Sequence, residues 1–354
     1  MYMKLLQITL FTIILTNATV HSTQLQSVYV VDNQHYANFL LNADNALEII
    51  HTFDSDKGIL SLTCDNLEIS EEIYSSLITR LKQLYDKNFI NHYEITYENN
   101  QLTLQLSINH HDDTVIRIHG NSSKRFMIDF MSINYINNKK KRKPRIILDA
   151  GHGGHDPGAS YEHVNEKEIA LAITKKVFNL LKKAGYQVLM TRSDDTFLEL
   201  SERTAIATDN NVDLFVSIHL NATRLPGFFS HGIEVYHPTP ENQETMTYYA
   251  TNKTTAARSL KTVPSYFESI NKNSIQLAQA LQKNLITSTI THAYTPHDRG
   301  VKQETFRIFW QALFPIALIE AGFISNKTER ELLQKNSHQE LIARGIFKGI
   351  KEIL

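Results

Sequence analysis

The sequence predicts an α/β protein: a catalytic domain with a mostly parallel sheet flanked by helices, preceded by a smaller β-rich domain. Three observations carry this reading. From residue 145 onward, short apolar runs alternate with amphipathic stretches of helical spacing, the pattern of strands and helices layered around a buried sheet. Before residue 136, strand-like segments dominate, several with period-two alternation. Between the two, residues 139–143 are five consecutive Lys or Arg, closed by Pro144. Like charges in a row repel and stay solvated, so 136–144 reads as a linker.

The elements follow in order. Lys4 precedes an apolar stretch over 5–15 broken only by Gln7, Thr9 and Thr12, with small residues at Ala18 and Ser22. This is the pattern of a secretory signal, read as 1–22. Eleven residues are too few for a bilayer-spanning helix, which needs about 20. Residues 24–135 form the β-rich module, with strands expected at 28–32, 59–63, 102–107, 115–119 and 126–130. Ile73, Leu77, Leu81 and Leu84 give 69–84 helical spacing. The run 110–113 (His-His-Asp-Asp) reads as a polar hairpin turn between two strands. The catalytic domain, 145–354, starts with a strand at 145–149. A helix over 166–184 stops at Gly185. A strand at 187–192, a helix at 198–209, strands at 214–219 and 233–236, a helix at 274–290, a strand at 314–320 and a helix at 337–353 complete it. Residues 238–273 are left as a long polar connection. Connections beyond about 15 residues are uncommon in compact domains unless functional or disordered.

The chain has 354 residues, room for two or three domains, and a formal net charge of −1, which offers no case for nucleic-acid binding. Its single cysteine, Cys64, excludes an internal disulfide and a cysteine metal site, and its leucine neighbours mark a buried strand position.

Four residues stand in distinctive frames: His152 in 148–159 (Leu-Asp-Ala-Gly-His-Gly-Gly-His-Asp-Pro-Gly-Ala), Glu166 in 165–168 (Asn-Glu-Lys-Glu), His219 in 216–222 (Val-Ser-Ile-His-Leu-Asn-Ala) and Glu320 in 318–326 (Leu-Ile-Glu-Ala-Gly-Phe-Ile-Ser-Asn). Two histidines and a carboxylate can hold Zn2+ and leave its fourth position open to water. A further carboxylate can take that water's proton. His152, His219 and Glu320 end expected strands, where an open α/β sheet forms its ligand crevice, and Glu166 opens a helix facing it. Glu320 follows an apolar strand, where partial burial suits a base. These patterns leave open which glutamate coordinates, because Glu168 lies two residues along on another helix face. His155 and His163 are near the motif, with His155 a candidate second contact. Arg203 is expected in a structural ion pair. Arg299 and Lys302 are read either as binders of substrate carboxylates or as fold stabilisers.

The four frames, with 298–303 (Asp-Arg-Gly-Val-Lys-Gln) and Ser325-Asn326, resemble the zinc-dependent N-acetylmuramoyl-L-alanine amidases of the family-3 type over 145–354. The resemblance implies hydrolysis of the amide between N-acetylmuramic acid and L-alanine in peptidoglycan. It implies His152, Glu166 and His219 as metal ligands and Glu320 as the catalytic glutamate. The N-terminal module resembles the amidase N-terminal (AMIN) domain in its position, strand pattern and 124–130 ending, which implies peptidoglycan binding. A secreted or periplasmic enzyme of wall remodelling or daughter-cell separation is expected, with no stable membrane insertion after signal cleavage. The rival readings are another zinc wall hydrolase (peptidase or deacetylase) and a non-catalytic wall-binding protein. Some septal relatives carry a regulatory insertion at the place of 238–273, which implies a protein activator. Glu241, Glu244 and Glu268 are the candidate blocking carboxylates there.

Overall fold

The computed structural model describes residues 22–33, 36–54, 57–109, 114–119, 123–132, 143–223, 230–239, 246–250, 253–309, 312 and 314–354. The expected signal except Ser22, most of the linker and the run 110–113 lie outside them.

The N-terminal module contains β1 (Thr23–Asn33), β2 (Tyr36–Leu47), β3 (Ile49–Asp54), β4 (Ile59–Cys64), β5 (Leu67–Glu68), α1 (Glu71–Asp86), β6 (Ile90–Glu98), β7 (Gln101–Ile108), β8 (Thr114–His119) and β9 (Ser123–Ser132). One sheet runs β3-β4-β7-β6, antiparallel throughout. A second contains β8-β9-β2-β1-β5. Both sheets and α1 close on one apolar core that includes Phe39, Leu62, Leu81, Leu104, Phe126 and Phe130. Ser70 caps α1 by accepting a hydrogen bond from the Ile73 amide, and Leu77, Leu81 and Leu84 face the core. Cys64 is buried in β4, as expected, and burial pushes its thiol up to about 11. All five expected strands are present. β2 was not foreseen because Phe39, Leu40 and Leu41 are consecutive and all buried, which erases the alternation.

The catalytic domain contains β10 (Arg145–Ala150), a short hairpin β11 (Ser160–Tyr161) and β12 (Val164–Asn165), α2 (Glu166–Lys183), β13 (Gln187–Met190), α3 (Leu200–Asp209), β14 (Leu214–Asn221) and β15 (Ile233–Pro238). Then come β16 (Met246–Ala250), α4 (Lys253–Thr289), β17 (Asp298–Glu304), β18 (Ile316–Phe323), α5 (Lys327–Leu333) and α6 (Asn336–Ile353). The sheet order is β13-β10-β14-β18-β15-β17. Every pairing in it is parallel except β15 with β18. One face packs against α2, α4 and α6 through residues such as Ile173, Val177, Leu281 and Ile346. The other face, with Ile147, Phe215 and Ile316, packs against Ala207 of α3, Phe309 and Met131 of β9. The N-terminal module thus contributes a side chain to the second catalytic core.

The reading of 238–273 as an unstructured connection needs correction. β16 leaves the catalytic domain and pairs antiparallel with β8, adding a strand to the N-terminal sheet. The expected helix at 274–290 begins at Lys253. The first half of the helix is rich in polar residues and carries Pro264, which concealed it in the sequence. No described helix is long and apolar enough to cross a membrane.

His338 lies buried on α6 with its ring edge-on to Tyr294. Burial, then Lys335, pushes its pKa from 6.5 down to about 4. The unfolded chain therefore takes up this proton first as pH falls. The stability His338 contributes is full above pH 6.5 and is lost toward pH 4, by up to about 3 kcal/mol. His338→Phe is expected to flatten the fall in unfolding free energy between pH 6.5 and 4, measured by urea titration at each pH.

Candidate metal and catalytic site

The site is built on the end of β10. Asp149, buried there, forms an ion pair with Arg203 of α3 at 2.9 Å. It also accepts hydrogen bonds from Thr191 at 2.6 Å and Ser217 at 2.7 Å. Burial would raise its pKa, but Arg203 and the two hydroxyls outweigh that and hold it low. The two following turns are clamped by arginines. Arg192 donates to the carbonyls of Ala150 and Gly151, and Arg203 to those of Ala150 and His152. This clamp holds His152 in the left-handed region, φ 59°, which costs a non-glycine residue energy unless its surroundings enforce it. Two glycines leave room for the ring. A Cβ on Gly151 would fall 2.3 Å from His219, and one on Gly158 2.6 Å from both His152 and Glu166.

Glu166 is the first residue of α2 and is 3% exposed. Its Oε1 lies 3.1 Å from His152 Nε2 and 2.9 Å from His219 Nδ1, and accepts from the Leu220 amide at 3.0 Å. Its Oε2 accepts from the Ala159 amide at 2.8 Å. Burial would raise its pKa, but the hydrogen bonds from the two histidines outweigh that and hold it well below the usual carboxylate range. The two rings stand edge-on, 4.9 Å apart. One ligand atom from each of His152, Glu166 and His219 lies within 4.8 Å of the others. A nitrogen–oxygen–nitrogen donor set this compact fits a single divalent cation such as zinc. The other nitrogen of His152, Nδ1, lies 2.7 Å from Asp156 Oδ2. A carboxylate on the far side of a ligand ring fixes its tautomer and orientation. Burial opposes a proton on His152, yet Glu166 and Asp156 together raise its pKa.

Glu320 sits on β18, level with His219 on β14 and with Glu234 on β15. Its Oε2 is enclosed and has no hydrogen-bond partner among the described residues, although the residue opens partly to the pocket. Burial first, then the charges of Glu166 and Glu234, push its carboxyl well above the usual value. All four residues line one pocket of about 480 Å³, with Tyr161 and Asn221 on its walls. A larger cavity of about 720 Å³ lies at the opposite end of the strands, beside Pro144, Asp213 and Pro315, and holds none of them.

The structure brings together the four residues singled out from the sequence. It separates them from the alternatives. Glu168 is held by Asn165 rather than facing the histidines. His155 packs against Phe197, ring centres 4.1 Å apart, and His163 occupies the turn between β11 and β12. Arg203 forms the expected ion pair. Arg299 and Lys302 both bind Glu234, which ties both side chains into the fold. Glu241 and Glu244 lie outside the described residues, as does the side chain of Glu268. No described residue of 238–273 lines the pocket. Two residues of the site were missed. Asp156 reads as a turn former, and Glu234 is hidden in an apolar strand, where a lone charged residue was its only signal.

Fold and pocket together define a hydrolase class: an α/β domain whose strand ends present imidazoles and carboxylates to a polar pocket. Comparison with known proteins gives the family. The model of the N-acetylmuramoyl-L-alanine amidase family matches residues 146–352. The chain belongs to this family, enzymes acting on peptidoglycan. It is 33% identical over 207 residues to the uncharacterized protein YqiI of Bacillus subtilis, covering 58% of this chain and 82% of that one. It is 32% identical to a putative N-acetylmuramoyl-L-alanine amidase of Buchnera aphidicola, covering 58% and 94%. A solved amidase structure from Clostridium difficile is 27% identical, with a TM-score of 0.48, covering 59% of this chain and 96% of that one.

Replacing Arg203 by Met leaves Asp149 buried without its cation. We expect a loss of about 3–5 kcal/mol in unfolding free energy, read by urea denaturation.

Proposed function

We propose that this amidase is zinc-dependent and cleaves the amide joining N-acetylmuramic acid to L-alanine. In this reading His152, Glu166 and His219 hold the metal and Glu320 is the catalytic base. The observation that carries it is the pocket itself: three donor atoms within 4.8 Å and, beside them, a carboxylate oxygen with no partner among the described residues. When bound, zinc supplies a Lewis acid that polarises the carbonyl and acidifies a water. Glu320 then takes the proton as the water oxygen bonds to the carbonyl carbon. It returns that proton to the alanine nitrogen as the carbon–nitrogen bond breaks. The products are a lactyl carboxylate and a free alanine amino group. Asp156 keeps Nδ1 of His152 engaged, which would leave Nε2 as the nitrogen that holds the metal.

The remaining expectations belong to the same proposal. Residues 1–22 direct the chain to the periplasm or outside the cell, where the substrate is. Residues 24–135 form an AMIN-like module that binds peptidoglycan, joined by the linker 136–144 to the catalytic domain 145–354. The enzyme serves wall remodelling or daughter-cell separation. A protein activator at the septum would act through β16, the strand that the catalytic insertion lends to the N-terminal sheet.

Digestion of purified peptidoglycan should free L-alanine amino termini and leave the glycan acetyl groups intact, as mass spectrometry of the products reads directly. Removal of acetyl groups instead would assign a deacetylase. The purified protein should carry about one zinc per chain. His152→Ala and His219→Ala should lose metal and activity together. Glu320→Gln should lose about 10²–10⁴-fold in kcat while keeping its zinc; loss of the metal as well would make Glu320 a ligand. Asp156→Asn should weaken zinc affinity about 10–100-fold, measured by competition with a chelator.

A further inference from the structure

Glu320 belongs to a row of side chains that crosses four strands. His219 on β14 is level with Glu320 on β18, and Glu320 with Glu234 on β15. A register shift between Ile233 and Val235 then sets Arg299 and Gly300 of β17 beside Glu234. Directly opposed residues of an antiparallel pair keep their Cβ atoms about 5 Å apart on one face. Two carboxylates therefore sit side by side, and the donors around them are shared unequally. Glu234, with a side chain 2% exposed, receives Arg299 Nε at 2.7 Å and the Tyr236 hydroxyl at 2.8 Å. It also receives Lys302 Nζ and the Asn221 amide. Glu320 Oε2 receives none of these.

The imbalance bears on function. A carboxylate in a salt bridge is a weaker proton acceptor, and its lone pairs are occupied. A lysine ammonium on a flexible four-carbon stem can turn to whichever carboxylate carries charge. Arg299 has less freedom, because its guanidinium also packs over the Phe323 ring at 4.9 Å. We propose that Glu234 is a positioning residue for the hydrolysis: it captures Lys302 and so keeps Glu320 free of a salt bridge and open to the pocket. This rests on Glu320 being the base.

The test is a double-mutant cycle on the full chain, with kcat and KM measured on a soluble muropeptide and zinc content measured alongside. Glu234→Gln should lower kcat about tenfold with little change in KM, because the released Lys302 turns to Glu320. Adding Lys302→Met to that variant should restore kcat to within about threefold of the parent. A purely structural Glu234 would show no such rescue. A double variant as slow as the single one, or a Glu234→Gln enzyme as fast as the parent, overturns the proposal. If Glu234→Gln fails to retain zinc, the same pair is built on Glu234→Asp, which keeps the charge but withdraws it from Lys302. The double variant must again be faster than the single one. Glu320→Gln is assayed in parallel: full activity there would remove the base assignment itself, whereas an inactive Glu320→Gln without rescue removes only the role of Glu234.

Discussion

A single buried carboxylate, Asp149, sets the geometry on which the site depends. It lies at the end of β10 and ties three neighbouring elements together: Arg203 from α3, Thr191 after β13 and Ser217 within β14. Neutralising it with a guanidinium makes its burial tolerable, and the hydroxyls satisfy its remaining lone pairs. Arg203 then has donors to spare for the carbonyls of Ala150 and His152. The same cation that compensates a buried charge therefore orients the first histidine of the pocket. Arg192 does likewise one step away, through the carbonyls of Ala150 and Gly151. The backbone leaves the sheet in an unfavourable conformation and is held there by groups that are themselves enclosed.

The site is a chain of such dependences. Asp156 engages Nδ1 of the His152 ring while Glu166 meets Nε2. Glu166 is in turn fixed by two backbone amides, Ala159 before its helix and Leu220 on β14. Among the described residues, Glu320 is the pocket carboxylate with a buried oxygen that has no hydrogen-bond partner. Rigid donors around one free carboxylate suit a reaction that needs fixed ligands and one group able to gain and lose a proton.

Much of this was legible in the sequence, for definable reasons. The central strands β10, β14 and β18 announced themselves because they are buried on both faces and therefore read as continuous apolar runs, whereas the polar edge strand β17 did not. His152, His219 and Glu320 were visible because each interrupts or follows such a run, and Glu166 because it opens an amphipathic helix. Asp156 and Glu234 were not, since a side chain that acts through another leaves only an ordinary turn or strand residue behind. Register is equally silent: nothing local says that Glu234 and Glu320 stand opposite each other across an antiparallel joint in an otherwise parallel sheet. The same limit hid β2, whose two buried faces abolish alternation, and the first half of α4, whose sequence is largely polar and carries Pro264.

β16 carries a further consequence, for descent rather than catalysis. The chain crosses between its two modules three times: at the linker, again into β16, and back into α4. Domain shuffling works when a module can be excised at one junction and joined elsewhere intact. Here an exchange at the linker would leave β8 as a bare sheet edge and β16 without a mate, and bare edges recruit unintended strands. An exchange of either half must therefore carry the mating strand with it or cap the edge that is left.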